Sequence, residues 1–162
     1  FYYNHSEASI QKKVFLKHIE ACQATSKPLI VHSRNAERDT LEILSSEKKN
    51  KNFDVLMHCF TGSKEFAHDL IDIDCYFSAS GVITFKKSTE LAKTFKSIPN
   101  DKILVETDSP YLSPEPLRGK INVPSNIIHT VKFISILKET TDEEVEKFTT
   151  NNFQELFKIN IA

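Results

Sequence analysis

Three short apolar runs in this 162-residue sequence end in a side chain that can bind a metal ion or accept a proton. "PLIVHSR" runs into His32, "FDVLMHCF" into His58 and "KILVETD" into Asp108. Two imidazoles and a carboxylate make a mixed nitrogen and oxygen donor set that suits zinc, manganese or iron; more carboxylate and water would tilt it toward magnesium. One histidine at the end of an apolar run means little. Three such groups at one topological position point to a metal or catalytic site. Glu106 stands two residues before Asp108, shares its face of the strand and lies deeper, where a carboxylate needs a partner. Two roles stay open for it: support of a metal ligand, or a salt bridge with a Lys or Arg.

The elements that must position these residues alternate. Ile10, Val14, Ile19 and Cys22 fall at helical spacing between Ser6 and Thr25, and Leu41 and Leu44 mark a second helix over Glu37 to Lys48. Ser63 can cap a helix running to about Ile71. "CYFSAS" reads as a strand closed by Ser80-Gly81, residues 88–97 as a helix, and Ile127, Val131, Ile134 and Leu137 as another. Thr141-Asp142-Glu143-Glu144 has the form of a capping box and opens a last helix. The four strands end at His32, His58, Ser80 and Asp108, at intervals of about 25 residues, so a parallel sheet of βα units is expected. Such a sheet is either open and doubly wound or part of a (β/α)₈ barrel, and in both the ligand site lies at the carboxyl ends of the strands. A whole barrel typically needs about 250 residues, so four units amount to half of one. Only three glycines occur, with neither G-x-G-x-x-G nor a Walker A sequence, which argues against a Rossmann or P-loop nucleotide site. Pro110, Pro114, Pro116 and Gly119 mark a long loop after Asp108.

Composition sets the frame. A net charge of −1, 40% hydrophobic and 27% charged residues describe a soluble globular domain with one core. No apolar run approaches the roughly 18 residues a membrane helix requires, so no membrane partner is expected. Phe1 to Glu7 has neither the basic start nor the apolar middle of a signal peptide. The single Met is Met57, which leaves the chain either processed or a piece of something longer. Cys22, Cys59 and Cys75 are odd in number and widely spaced, consistent with reduced thiols and a cytoplasmic location. Cys59 follows His58 and is expected on the opposite strand face, as a packing residue. His5, His18, His68 and His129 lie on loops or predicted helices and read as solvated or structural, and Lys48, Lys49 and Lys51 as a solvated helix end. A pI near 6.7 neither requires nor excludes a nucleic-acid partner.

At these residues the sequence resembles the TatD family of metal-dependent deoxyribonucleases, within the amidohydrolase-like metallohydrolases. "KPLIVHSRNAERDTLEIL", "VLMHCFTGS", "YFSASGVITFK", "ILVETDSPYLSPEPLRGKINVP" and "NNFQELF" carry the resemblance, in the family's order. It implies a TIM-type barrel and hydrolysis of phosphodiester bonds in DNA with divalent metal ions (zinc, magnesium or manganese). His32 and His58 then correspond to metal-binding histidines. Asp108 corresponds to the metal-bound carboxylate that deprotonates the attacking water, with Glu106 behind it. Arg34, Arg118 and Lys120 are candidates for phosphate contact, with surface solubility as the alternative. Members of the family begin with a His-x-His pair and carry a bridging Glu on a middle strand. Neither is found here, so residues 1–162 are expected to form a single partial barrel domain, strands five to eight, whose missing N-terminal half would be a partner. Two other functions remain open on the residues: a non-catalytic remnant or half-barrel subunit, and a metallohydrolase of another small substrate.

Overall fold

A computed structural model describes residues 5–160. Four parallel strands, β1 (Leu29–Val31), β2 (Val55–Met57), β3 (Cys75–Ala79) and β4 (Ile103–Val105), lie side by side in chain order. The helices are α1 (Ala8–Thr25), α2 (Glu37–Asn50), α3 (Lys64–Asp72), α4 (Thr89–Ser97), α5 (Ile127–Lys138) and α6 (Asp142–Phe157). Helices α2, α3 and α4 connect successive strands, the βα alternation expected from the apolar runs.

The register divides the sheet into two faces. Val31, Met57, Phe77 and Ile103 lie in one row across the four strands, with Leu29, Val55 and Cys75 in the row before it. This face packs against the helices through Leu44, Phe66, Leu70, Phe95 and Ile134. The opposite face carries Ile30, Leu56 and Tyr76 in one row, with Leu104 opposite Ser78. Its floor is a separate apolar cluster of Leu56, Tyr76 and Leu104, closed by Leu156 and Phe157 at the end of α6. Burial on both faces explains why β2 and β3 read as unbroken apolar runs. The edge strand β1 alternates instead, and Ile30 on its inner face is 57% exposed.

Side-chain caps fix the starts of two helices. The Ser63 hydroxyl accepts from the Phe66 amide to cap α3, and the Thr141 hydroxyl accepts from Glu144 to cap α6, as the capping box requires. The Glu37 carboxylate, in the first turn of α2, accepts hydrogen bonds from both the amide and the hydroxyl of Ser63. That link ties the turn after β2 to the turn after β1, on the side of the sheet where the strands end.

The long loop after β4 is seated by close backbone approach. A Cβ on Gly81 would stand 2.1 Å from the Leu112 carbonyl oxygen, so the residue at this point can carry no side chain. The Thr84 hydroxyl accepts from the Glu115 amide at 2.8 Å, and the Arg118 guanidinium stacks 3.6 Å from the centre of the Phe85 ring.

Candidate metal centre

Asp108, Glu106 and His58 converge past the carboxyl ends of β2 and β4. Each offers one donor atom, and these atoms lie within 4.8 Å of one another. His58 Nδ1 is 2.9 Å from Glu106 Oε2, a hydrogen bond between residues 48 apart in sequence. Ser78 Oγ on β3 donates to the same carboxylate oxygen and accepts from the Cys59 amide at 3.0 Å. Three neighbouring strands thus meet at Glu106 Oε2. With the Nδ1 hydrogen given to Glu106, the Nε2 lone pair of His58 faces Asp108 Oδ1 at 3.6 Å.

Asp108 and Cys59 both take left-handed backbone conformations, with φ of 55° and 46°. Each turn redirects the chain at a strand end. In the Asp108 turn, the Tyr111 amide donates to the Asp108 carbonyl at 2.9 Å. The turn at Cys59 overrides the expected strand alternation. β2 ends at Met57, and the Cys59 thiol comes back to within 3.1 Å of Ser80 Oγ, beside the carboxylates rather than on the opposite face. Burial pushes this thiol up to about 11, helped by the nearby charges of Glu106 and Asp108 and opposed by the Ser80 hydrogen bond.

The donor set fits a divalent cation. Glu106 Oε1 is buried and accepts no hydrogen bond from any described residue. A buried carboxylate oxygen without a donor is costly, and a cation removes the cost. An imidazole lone pair and a carboxylate oxygen at 3.6 Å are both electron-rich, and a shared cation stabilises that approach as well. His58, Glu106 and Asp108 are the residues that can hold it.

The other expected residues occupy different places. His32 is exposed at the end of β1, its ring centre 6.0 Å from that of His58, outside the three-donor cluster. Arg34 and His58 line one groove of about 250 Å³ together with Ser33 and Phe60. Arg118 is held over Phe85, its Nη1 3.4 Å from the Ser113 carbonyl oxygen, and Lys120 is exposed on the same loop. Of the two roles left open for Glu106, the structure shows no Lys or Arg ion pair among the described residues; its partners are His58 and Ser78.

Ser78 escaped notice in the sequence, although its two-residue spacing from Ser80 on an apolar strand was a usable signal. Asn122 gave no local signal of its link to Asp108, because the carbonyls its side chain donates to lie 11 and 15 residues away.

The chain is 46% identical over 159 residues to "Uncharacterized metal-dependent hydrolase BU355" of Buchnera aphidicola, covering 98% of this chain and 60% of that protein. It is 41% identical over 162 residues to "Uncharacterized metal-dependent hydrolase YcfH" of Escherichia coli, covering 100% and 61%. The chain therefore spans about 60% of the length of these curated relatives. Among solved structures, YJJV, a TatD homolog from Escherichia coli, superposes with a TM-score of 0.86 at 20% identity, over 94% of this chain and 58% of that one. That likeness concerns the fold. The family described as TatD related DNase matches residues 1–158, and this chain belongs to it.

Proposed function

We propose that this chain carries metal-binding and catalytic groups of a metal-dependent hydrolase that cleaves phosphodiester bonds in DNA. The observation that carries the reading is the His58, Glu106 and Asp108 cluster within 4.8 Å at the carboxyl ends of parallel strands, with Glu106 Oε1 buried and accepting no hydrogen bond from any described residue. A bound divalent cation would acidify a water molecule and offset charge on the phosphoryl oxygens. Asp108 is the more exposed carboxylate, at 35% against 18% for Glu106, and acts as the general base toward that water. Glu106 uses Oε2, which also accepts from Ser78, to orient His58, leaving Oε1 for the cation. His32, beside His58 at the rim, adds a further donor. Arg34 shares the groove with His58 and is the first candidate for contact with a substrate phosphate; Arg118 and Lys120, on the loop after β4, are the other candidates.

The test is a nuclease assay on the purified chain with single- and double-stranded DNA and titrated Mg²⁺, Mn²⁺ or Zn²⁺. Cleavage is expected to require metal and to vanish in His32→Ala and Asp108→Ala. Full rate in the Asp108 variant, or in excess chelator, would overturn the assignment. Turnover of an amide or small phosphoester with DNA left intact would move the substrate class.

A specific observation favours a second statement, that the four βα units are strands five to eight of a (β/α)₈ barrel and need the remaining strands for full activity. Ile30 is exposed on the inner face of β1, and a groove of about 660 Å³ between α1 and α2, at the end of β1, is lined by Ile10, Val14 and Phe15. The chain alone is then expected to bind metal weakly and turn over slowly. Supplying the N-terminal portion of a full-length relative in trans should raise the rate; robust turnover by the 162-residue chain alone would refute the requirement.

A further inference from the structure

Asp108 begins a loop that one buried side chain holds in place. Asn122 is 2% exposed and uses its whole amide. Its Nδ2 donates to the carbonyls of Thr107 at 2.8 Å and Tyr111 at 2.7 Å. Its Oδ1 accepts from the Val123 amide at 3.0 Å and from Asn126 Nδ2 at 2.9 Å. The backbone amide of Asn122 donates to the Pro110 carbonyl at 3.0 Å. Thr107 precedes Asp108 in the chain, and Pro110 and Tyr111 follow it.

These bonds bracket a residue whose backbone takes an uncommon conformation. Asp108 sits in the left-handed region, uncommon for a non-glycine residue though more open to aspartate than to most, and hydrogen bonds on both sides hold the chain there. A neutral amide is the one side chain of this size with two hydrogens for two carbonyls and an oxygen for two donors. An aspartate would set a carboxylate against the Thr107 and Tyr111 carbonyls, and an alanine would leave both without a donor.

We propose that Asn122 is a positioning residue that fixes the Asp108 carboxylate where the cation of the candidate centre needs it; the proposal rests on the metal-centre reading above. It predicts that loss of the amide weakens metal binding more than loss of an equivalent structural amide. Asn152 supplies that comparison. It is 4% exposed, and its Nδ2 donates to the Asn100 and Ile103 carbonyls at 2.8 and 2.7 Å, at the opposite end of β4.

The experiment titrates Co²⁺ into the purified chain, followed by visible absorption, for the unsubstituted protein, Asn122→Ala and Asn152→Ala. Circular dichroism melts in chelator are run alongside. Both variants should melt at lower temperature. Only Asn122→Ala should lose affinity, by about tenfold or more, with a changed Co²⁺ band. Unchanged affinity in Asn122→Ala, or an equal loss in Asn152→Ala, overturns the proposal. If Asn122→Ala does not fold, Asn126→Ala removes a single bond to the Asn122 oxygen: a smaller loss of affinity supports the proposal, and none overturns it. An unsubstituted chain that gives no Co²⁺ band even at millimolar Co²⁺ and with the N-terminal portion of a full-length relative supplied in trans overturns the metal centre itself and the role of Asn122 with it, an outcome distinct from a centre that binds while its variants bind equally.

Discussion

The two oxygens of Glu106 have different surroundings. Oε2 accepts from Ser78 and lies 2.9 Å from His58 Nδ1, whereas Oε1 is buried with no donor among the described residues. Replacing Glu106 with Gln tests this division, because the amide keeps the volume and loses the charge. Binding of Mn²⁺ or Co²⁺, measured by isothermal titration, is expected to weaken by about tenfold to a hundredfold. Equal affinity would mean that Oε1 serves only the fold. His58 and Asp108 were readable as candidate donors from their places after apolar runs, and the structure brings them together with Glu106. The direct inclusion of Glu106 in the donor cluster was not, because the alternation rule gives a face and a depth but no partner.

At the scale of elements, strand ends and helix caps follow local rules, and loops follow the backbone they cross. The loop 109–124 is placed by the missing side chain at Gly81, where a Cβ would meet the Leu112 carbonyl at 2.1 Å. Gly81→Ala is expected to displace this loop and cost about 1–3 kcal/mol, read from urea denaturation. Stability equal to the unsubstituted chain would show that the loop moves aside freely. The expected helix over 88–97 is Thr89–Ser97, and the capping box opens α6 at Asp142. Both depend on interactions within one turn, which a sequence displays directly. Cys59 was misplaced for the opposite reason: its position follows a turn at His58 and Cys59 that ends the strand early, and Ser78 of the next strand and Ser80 just past it hold it there.

Across the whole molecule, charge contributes modestly to stability. Lys102, from the turn before β4, reaches Asp74, in the turn before β3, at 2.5 Å, and this hydrogen bond holds the Asp74 carboxyl below its ordinary 3.8. A carboxylate with a lowered folded pKa stabilises the protein above its unfolded pKa, and the contribution disappears as the pH falls through the folded value. Asp74 is 64% exposed, so the pair adds only about 0.2–1 kcal/mol. The urea midpoints of the unsubstituted chain and Asp74→Asn should therefore differ at neutral pH and converge as the pH drops below 3.8. A gap that persists in acid would assign the effect to packing. The sequence by itself determined the order of βα units and the helix caps at Ser63 and Thr141, and it placed His32, His58 and Asp108 near strand ends, although β1, β2 and β4 stop earlier, at Val31, Met57 and Val105; periodicity and capping act within a few residues. Only the tertiary structure decided which donors meet. Parallel register carries Glu106 to a histidine 48 residues away, and Asn122 reaches back across Asp108, contacts between residues far apart in the chain that no local pattern encodes.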